Sequence, residues 1–389
     1  MSEKMRILLL NYEYPPIGGG AGKATMSLLK EFSQKSDMVV DVLTSKPGRG
    51  DVVEEFAENV RIYKVGIAKA NLHYWRKPEV LEWLWRADKY YRKMIAENKY
   101  DMAHAFFGFP TGWLCYRQRR KLPYIISLRG SDVPGYNERL GLDYVLLSGL
   151  FKSIWNRAKF VVANSVGLKE LGEKFTPNLD IGVIYNGIYG DKYFPADGKK
   201  PGPRVKLLTV CRLIKRKRID MLIGAVAAAK HIGLDVELNI AGGGNLLEEL
   251  SQYAGRVGVR ERVNFLGRVE SDQMPAVYRE NDIFVMSSEH EGMSNAMLEA
   301  MASGLPIVTT RCEGVEELID GNGVIAEANP KSICDAVARI VGDEEGYCSM
   351  VEASRERAMK FEWSSVADEY VGLYREIADS VKQVPRPKY

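Results

Sequence analysis

The sequence Glu291-Gly-Met-Ser-Asn-Ala-Met-Leu-Glu299 decides the fold, because it lies between two short apolar runs, residues 283–286 and 306–309. A strand, a loop, a helix and a second strand in this order place the loop and the helix start at the carboxyl edge of a parallel sheet. Ligands of open α/β folds bind at that edge, and a helix start there favours anions. We therefore expect a negatively charged ligand here, with two carboxylates binding its neutral polar parts.

The same alternation of short apolar runs and longer helical patterns covers the rest of the chain. The predicted strands of the first series are residues 6–11, 39–43, 60–65, 102–106, 124–128, 160–163 and 182–184. Those of the second series are residues 206–210, 237–241, 263–266, 283–286 and 307–309. Strand–helix alternation indicates parallel sheets with helices on both faces. We predict an α/β protein with two doubly wound, Rossmann-like domains that face each other across a cleft.

The length of 389 residues exceeds what one hydrophobic core normally supports, which also favours two domains. Three prolines and three glycines within residues 189–203 indicate a linker. We expect an N-terminal domain of residues 1–188 and a C-terminal domain of residues 204–362. Residues 363–389 are predicted to form a helix that packs back on the first domain, followed by a frayed, proline-rich tail.

The composition restricts the class of protein. A formal net charge of +3 is too small to indicate a nucleic-acid partner by itself. The five scattered cysteines have no metal-ligand spacing and are typical of reduced thiols. The first apolar run is too short for a signal peptide, and no run approaches the ~20 apolar residues of a membrane span. We expect a cytoplasmic protein, with contact to the inner face of a membrane left open.

A basic cluster follows the first predicted strand of the second domain. Arg212 and Lys217 are five residues apart and could converge on a diphosphate. Each contact near 4 Å would carry roughly 4 kcal/mol of Coulomb energy at an effective dielectric of about 20. A solvated basic loop, or a nucleic-acid patch formed by residues 215–218, is the alternative.

Two glycine runs, residues 18–22 and 242–244, also come shortly after predicted strands. Glycine lets the backbone approach a bulky anion, although a plain turn is the alternative for both runs. The long loop before Gly18 does not fit a dinucleotide fingerprint. For the carboxylates, a helix beginning near Ser294 predicts a separation of about 10 Å or more. That exceeds the ~5–5.5 Å of retaining glycosidase pairs, so the two acids are expected to contact different parts of one long ligand.

The run from Glu291 to Glu299, followed by Ala-Met-Ala-Ser-Gly-Leu-Pro, resembles the signature of the family 4 retaining glycosyltransferases, which have the GT-B fold. Arg212 and Lys217 resemble the Arg-Leu-x3-Lys element of the same family. Further similar segments make the resemblance span nearly the whole chain: residues 18–22, 185–187, 242–244 and 265–267.

The resemblance implies roles for individual residues. Arg212 and Lys217 would neutralise the leaving diphosphate, and Glu291 would contact the transferred sugar, so these three are the catalytic candidates. The donor-binding candidates are Gly19, Gly20, Gly243, Gly292, Met293, Ser294 and Glu299. No metal and no cofactor is implied, since the nucleotide diphosphate sugar is a substrate and no Asp-x-Asp occurs in the sequence.

The acceptor-side candidates are His104, Arg129 and Asp132. Residues 126–132 resemble a family segment that usually reads His-Gly-x-Asp, and Arg129 occupies the position of its histidine. Arginine cannot act as a general base, so the resemblance leaves front-face displacement, in which the leaving phosphate takes the acceptor's proton. Arg129 could bind phosphate or an anionic acceptor, or form a structural ion pair with Asp132. His104 is the kind of strand histidine that is also often structural.

Residues 72–93 mix aromatic and basic side chains at helical spacing. Such a helix can lie on an anionic membrane, or can be a crossover helix whose aromatics pack on the sheet. We expect transfer of a sugar to a glycan or lipid-linked acceptor, in cell-surface polysaccharide or glycolipid synthesis, with no nucleic-acid partner. The alternatives are an epimerase of nucleotide sugars with the same fold and a non-enzymatic two-domain binding protein.

Overall fold

The computed structural model describes residues 4–72, 74–136 and 141–383, except for the side chains of residues 381–383. The chain divides into two compact units, one of Met1–Asn186 with Trp363–Tyr389 and one of Gly187–Glu362. Within the described ranges, no helix combines the length and the apolar character needed to cross a membrane. The last residues of the predicted tail, 384–389, lie outside the described part.

The first unit is built on an eight-stranded sheet in the order β3-β4-β2-β1-β5-β6-β7-β8. Its strands are β1 (Met5–Leu10), β2 (Met38–Pro47), β3 (Val52–Ala57), β4 (Val60–Ile67), β5 (Met102–Phe106), β6 (Tyr124–Leu128), β7 (Phe160–Ala163) and β8 (Gly182–Val183). Its helices up to that point are α1 (Gly20–Ser33), α2 (Lys77–Glu97), α3 (Thr111–Arg117), α4 (Gly141–Leu146), α5 (Ser148–Asn156) and α6 (Val166–Phe175). Neighbouring strands are parallel, except that β3 pairs with β4 in antiparallel fashion.

The second unit is built on a six-stranded parallel sheet in the order β11-β10-β9-β12-β13-β14. Its strands are β9 (Val205–Val210), β10 (Val236–Ala241), β11 (Val263–Gly267), β12 (Ile283–Met286), β13 (Ile307–Thr310) and β14 (Gly323–Ala326). Its helices are α7 (Ile219–His231), α8 (Leu247–Arg256), α9 (Met274–Arg279), α10 (Asn295–Ala302), α11 (Pro330–Val341) and α12 (Glu344–Met359). The two sheets and their helices confirm the predicted α/β architecture.

The central strands form where the sequence is continuously apolar. All four residues of β12 are buried, as are all five of β5 and of β6. A parallel strand covered on both faces requires such a run rather than alternation. Helix α10 begins where Ser294 accepts a hydrogen bond from the backbone N–H of Met297, at 3.3 Å. Since serine is a preferred N-cap residue, the predicted start of this helix agrees with the structure.

The strand order reverses once in each sheet, between β1 and β5 in the first unit and between β9 and β12 in the second. Loops that leave two such neighbouring strands diverge, which opens a crevice at the carboxyl edge where α/β proteins bind ligands. Each unit therefore has one place at which a ligand site is expected from topology alone.

Two edge strands are absent from the predicted series. Strand β3 has no buried residue, and its antiparallel pairing with β4 departs from the all-parallel expectation. Strand β14 has one buried residue of four. Strand β3 contains two glutamates and lacks the continuous apolar run that marks a central strand, whereas β14 is apolar but only four residues long.

Residues 189–203, treated above as a linker, belong to the second unit. The guanidinium of Arg355 donates to the carbonyl oxygens of Tyr193 and Gly190 at 2.6 and 3.1 Å. The Tyr193 ring is buried and lies edge-on to Tyr278, with the centroids 5.8 Å apart. The boundary between the units instead falls between residues 186 and 187, directly after the last strand region of the first sheet.

The last helix, α13 (Trp363–Gln383), belongs to the first unit although it follows the second in sequence. Its buried face includes Tyr370, Tyr374 and Ile377 at spacings of four and three residues, as expected of an amphipathic helix. It contacts α1, and Arg375 pairs with Asp37 at 2.7 Å. The helix thus covers one face of the first sheet.

We predict that Ile377→Ala lowers the free energy of unfolding of the first unit by about 2–5 kcal/mol, because the side chain is fully buried and its removal leaves a cavity. All six tryptophans lie in this unit, so their fluorescence in a urea titration reports its unfolding. The control is Glu376→Ala at the exposed neighbouring position, expected within about 0.5 kcal/mol of the parent protein. An equal effect of both substitutions would contradict the packing of α13.

Candidate active site

Lys217 and Glu291 form an ion pair in the second unit. Lys217 follows β9 and Glu291 follows β12, the two strands between which the strand order reverses. The side chains are only 10% and 18% exposed, respectively. Two of the three predicted catalytic residues, 74 positions apart in sequence, therefore lie in direct contact at the crevice.

The backbone around Lys217 is held in a tight conformation. Residues Lys215–Lys217 form a 3-10 turn, and Arg218 after it is left-handed, with φ 47° and ψ 43°. A non-glycine residue in this region is strained and needs support from its surroundings. The Ser287 hydroxyl supplies it by donating to the carbonyl oxygens of Lys217 and Arg218 at 3.0 and 2.7 Å. The turn is thereby fixed to the end of the neighbouring strand β12.

Two cations of the basic cluster are paired with carboxylates. Lys217 is buried against Glu291, and Arg218 pairs with Asp220 at 3.0 Å and with Glu289 at 3.2 Å. A nucleic-acid surface needs cations that are free to contact phosphates, so these pairs disfavour that alternative. Arg212, the third catalytic candidate, lies on the same connection at the end of β9 and is exposed.

Glu313, which the sequence reasoning missed, holds the loop that carries Glu291. It accepts a hydrogen bond from the Glu291 backbone N–H at 3.2 Å, and its other carboxylate oxygen lies 3.0 Å from Nδ1 of His290. Glu313 comes shortly after β13, the next strand of the sheet. No local pattern marks it, because its role depends on the pairing of β12 with β13.

Glu299 has a separate set of partners. It lies on α10 and accepts a hydrogen bond from the Tyr278 hydroxyl at 2.9 Å. Burial, together with the Glu299 charge, raises the pKa of Tyr278 well above its usual value. Tyr193 is affected in the same way, with its pKa raised by burial and by Glu299. The two acids of the opening sequence are thus bound to different side chains. The loop residues between them, Gly292, Met293 and Ser294, are buried.

In the glycine run after β10, two glycines pack closely against neighbouring backbone and the one between them does not. A Cβ at Gly242 would lie 1.9 Å from the Cys211 carbonyl oxygen, and one at Gly244 would lie 2.3 Å from that of Leu213. These two glycines allow the run to pack against the segment that leads to Lys217. A Cβ at Gly243 would meet nothing within 4 Å, so only this glycine faces open space that a ligand can occupy.

The other glycine cluster lies after β1 in the first unit. Helix α1 begins at Gly20, and Gly19 is its N-cap residue. The Gly19 N–H donates to a carboxylate oxygen of Glu13 at 3.3 Å, and a Cβ at Gly19 would meet nothing within 4 Å. The loop therefore presents its backbone at the edge where the strand order of the first sheet reverses.

His104 is a buried member of a polar network in the first unit. Its Nδ1 lies 2.6 Å from the Tyr374 hydroxyl and its Nε2 lies 2.8 Å from the Ser127 hydroxyl, which is 3.0 Å from the Tyr370 hydroxyl. Burial, with the Arg129 charge, lowers the pKa of His104 well below its usual value. Both ring nitrogens have partners and the ring is neutral, which favours the structural role. Tyr370 and Tyr374 come from α13, so no motif near His104 could have predicted them.

Arg129 and Asp132 do not form the ion pair considered above. Asp132 accepts hydrogen bonds from the backbone N–H groups of Gly108 and Arg129 at 2.7 and 2.9 Å. Burial raises the pKa of Asp132 to about 6. The Arg129 guanidinium instead donates to Asn186 at 2.8 Å and to Tyr370 at 3.2 Å. Asp132 shapes the turn after β6, and Arg129 is held by neutral groups.

Within the described residues, no group of three or more His, Cys, Asp or Glu side chains has an arrangement suited to a metal ion. The five cysteines are free thiols. One of them, Cys211, lies beside the Lys217 turn, and burial raises the pKa of its thiol to about 11. A thiol with that pKa is a poor nucleophile near neutral pH.

The chain matches known families and proteins along most of its length. Residues 18–191 match the family described as "Glycosyltransferase Family 4", and residues 204–343 match "Glycosyl transferases group 1". The N-acetyl-alpha-D-glucosaminyl L-malate synthase of Bacillus anthracis is 23% identical, over 94% of this chain and 95% of the relative.

Two solved structures share the fold. The sucrose-phosphate synthase of Thermosynechococcus elongatus has a TM-score of 0.81 at 19% identity, covering 97% of this chain and 100% of that one. An Anabaena protein in complex with UDP-glucose has a TM-score of 0.70 at 18% identity, covering 98% of this chain and 100% of that one. Taken with the two family matches and the two doubly wound units, these likenesses establish that the chain is a family 4 glycosyltransferase with the GT-B fold.

Proposed function

We propose that the enzyme transfers a hexose-type sugar from a nucleotide diphosphate sugar to a glycan or lipid-linked acceptor, with retention of configuration and without a metal ion. The observation that carries the proposal is the contact of Lys217 with Glu291 where the second sheet reverses its strand order. A cation and an acid at one crevice suit a ligand with both a diphosphate and sugar hydroxyls. The Anabaena protein that shares this fold has UDP-glucose bound.

The roles follow from charge and position. Lys217 and Arg212 would stabilise the negative charge that grows on the leaving diphosphate, where preorganised cations are most effective. Glu291 would accept hydrogen bonds from the transferred sugar, and Glu299 from the ribose. Gly243 would let the backbone approach the nucleotide, since nothing lies within 4 Å of its Cβ position.

The ion pair also suggests how the donor enters. Desolvation of a buried pair offsets most of its Coulomb attraction, so exchanging Glu291 for a diphosphate as the partner of Lys217 costs little. The exchange would release the Glu291 carboxylate to bind sugar hydroxyls. Donor binding would thus convert a resting ion pair into two separate contacts with the donor.

No side chain of the first unit is proposed as a general base. Arg129 cannot accept a proton, and the two nitrogens of His104 already bind Tyr374 and Ser127. We therefore propose front-face displacement, in which the departing phosphate oxygen takes the proton of the acceptor hydroxyl as the new glycosidic bond forms.

An exposed apolar surface on the first unit supports a lipid-linked acceptor and peripheral membrane contact. The outer face of α2 presents Leu81 and Trp85, which are 62% and 79% exposed, while Trp83 packs inward. Lys89 and Arg92 continue the same face at helical spacing. Helix α4, joined to α2 by the Lys77–Asp143 ion pair at 2.8 Å, adds further exposed side chains: Leu142, Val145 and Leu146. Apolar residues flanked by cations suit an anionic membrane.

We predict that Lys217→Ala and Glu291→Gln each lower kcat for donor turnover about a hundredfold, the scale of one lost transition-state contact. The measurement is release of the nucleotide diphosphate from a nucleotide sugar in the presence of acceptor. The matched control is Lys215→Ala, an exposed cation in the same turn, which is expected to retain the parent rate. Parent rates in both site variants would overturn the proposed site, and formation of a sugar isomer without acceptor would indicate an epimerase.

We predict that EDTA leaves the transfer rate unchanged, because Lys217 and Arg212 supply the positive charge that a divalent ion would otherwise place on the diphosphate. The rate is measured before and after dialysis against the chelator. A loss of activity that added Mg²⁺ or Mn²⁺ restores would exclude the metal-independent mechanism.

We predict that Trp85→Glu lowers the affinity for phosphatidylglycerol vesicles about tenfold, because it removes an aromatic anchor and adds a charge that an anionic surface repels. Co-sedimentation with vesicles measures the bound fraction, which added salt should also reduce. Ile232→Glu, at a position 61% exposed in the second unit, serves as the control. Equal binding by the two variants would exclude the α2 face as the membrane contact.

A further inference from the structure

Arg129 lies at the carboxyl edge of the first sheet. It directly follows β6, and its guanidinium lies over the ring of Phe106, the last residue of β5, at 4.1 Å from the ring centroid. Strands β5 and β6 are parallel neighbours, so their ends form one edge. This is the edge at which α/β proteins bind their ligands.

The groups that hold the guanidinium are all neutral. One terminal nitrogen donates to the Asn186 side-chain oxygen at 2.8 Å and the other to the Tyr370 hydroxyl at 3.2 Å. The Nε–H is buried and has no hydrogen-bond partner. Within the described residues, no carboxylate forms an ion pair with Arg129, and Asp132 directs its oxygens to backbone N–H groups instead.

This arrangement leaves the guanidinium without a directly paired carboxylate, because the charge of Asp132 acts on it only from a distance while its oxygens bind backbone N–H groups. A buried or half-buried cation is costly unless it is paired, and Asn186, Tyr370 and the Phe106 face offset only part of that cost. Burial accordingly lowers the pKa of Arg129 from its usual value. The neighbouring His104 is neutral and has both nitrogens occupied, so it supplies no negative charge.

The hydrogen bonds also fix the orientation of the guanidinium. Asn186 and Tyr370 bind its two ends and Phe106 supports one of its faces. A planar cation that is held before the ligand arrives loses little freedom on binding, and its fork matches carboxylate or phosphate oxygens. Arg129 is therefore preorganised for an oxyanion.

We infer that Arg129 binds an oxyanion, a carboxylate or a phosphate, carried by one of the two substrates. The inference deepens the proposed function by naming the chemistry of a substrate, and it rests on that function only in assigning the anion to a substrate. Tyr370, on the last helix of the chain, acts as a positioning residue that holds the guanidinium.

The experiment measures the stabilisation of the first unit by small anions. All six tryptophans lie in this unit, so their fluorescence on heating reports the unfolding of the first unit. The probes are inorganic phosphate, sodium glucuronate and neutral glucose, each compared at equal ionic strength. A ligand that binds only the folded state raises the Tm, and a ligand present at about ten times its Kd should give a rise of about 3–6 °C.

The parent protein is expected to gain this Tm shift from phosphate or glucuronate but not from glucose. A response to phosphate alone indicates a phosphorylated substrate, and a response to glucuronate alone indicates a sugar carboxylate. Arg129→Gln should lose the shift, while Arg119→Gln should keep it, because Arg119 is another guanidinium of the same unit stacked on a tyrosine. Phosphate stabilises folded proteins nonspecifically, and this stabilisation should be the same in the two variants. The difference between their Tm shifts therefore reports binding at Arg129.

Absence of an anion shift in the parent protein, or an equal shift in Arg129→Gln, would overturn the inference. If Arg129→Gln does not fold, Arg129→Lys keeps the charge but lacks the fork, and it should retain less than half of the shift. Tyr370→Phe should also reduce the shift, because it frees one end of the guanidinium. None of these outcomes depends on turnover. The anion site can therefore fail while Lys217→Ala still lowers the transfer rate, and the transfer prediction can fail while the anion site holds.

Discussion

The parallel arrangement of strands is the constraint on which both units depend. Each parallel strand must be reached by a crossover, and therefore all loops that leave the strands gather at one edge. Where the order reverses, beside β1 and beside β9, neighbouring loops separate and the edge becomes a crevice. The buried apolar strands fix this geometry, while the loops are free to carry charge. Lys217, Glu291 and Arg129 all follow the ends of strands for this reason.

The two units treat charge at this edge in different ways. In the second unit the cation of Lys217 is matched by Glu291, and that of Arg218 by Asp220 and Glu289. In the first unit the cation of Arg129 is held by an amide, a phenol and an aromatic face. A paired cation can exchange its partner for a ligand at little cost, whereas a cation that lacks a direct ion pair gains its first one from the ligand. Lys217 thus suits a ligand that replaces its partner, and Arg129 suits a ligand that supplies one.

Local sequence was sufficient wherever an element depends on its own residues. The apolar run of β12 and the helix start expected near Ser294 both agree with the structure. Local sequence was insufficient to predict contacts between residues that are far apart in the chain. Tyr370 is 241 positions from Arg129, so no spacing near residue 129 could have shown that an aromatic hydroxyl, and not Asp132, binds its guanidinium. Glu313 was missed for the same reason, because only the pairing of β12 with β13 brings it to His290 and Glu291.

The return of α13 to the first unit also sets the order in which the protein can be completed. A ribosome makes residues 4–186 first, but the surface that receives Tyr370 and Tyr374 stays uncovered until the whole second unit has been synthesised. During that interval His104 and Ser127 lack their hydrogen-bond partners Tyr374 and Tyr370, and the apolar surface that α13 covers stays exposed. The N-terminal half is thus the last to be finished, which reverses the usual N-to-C order of domain folding during translation. The incomplete N-terminal half is therefore the segment that molecular chaperones would need to protect.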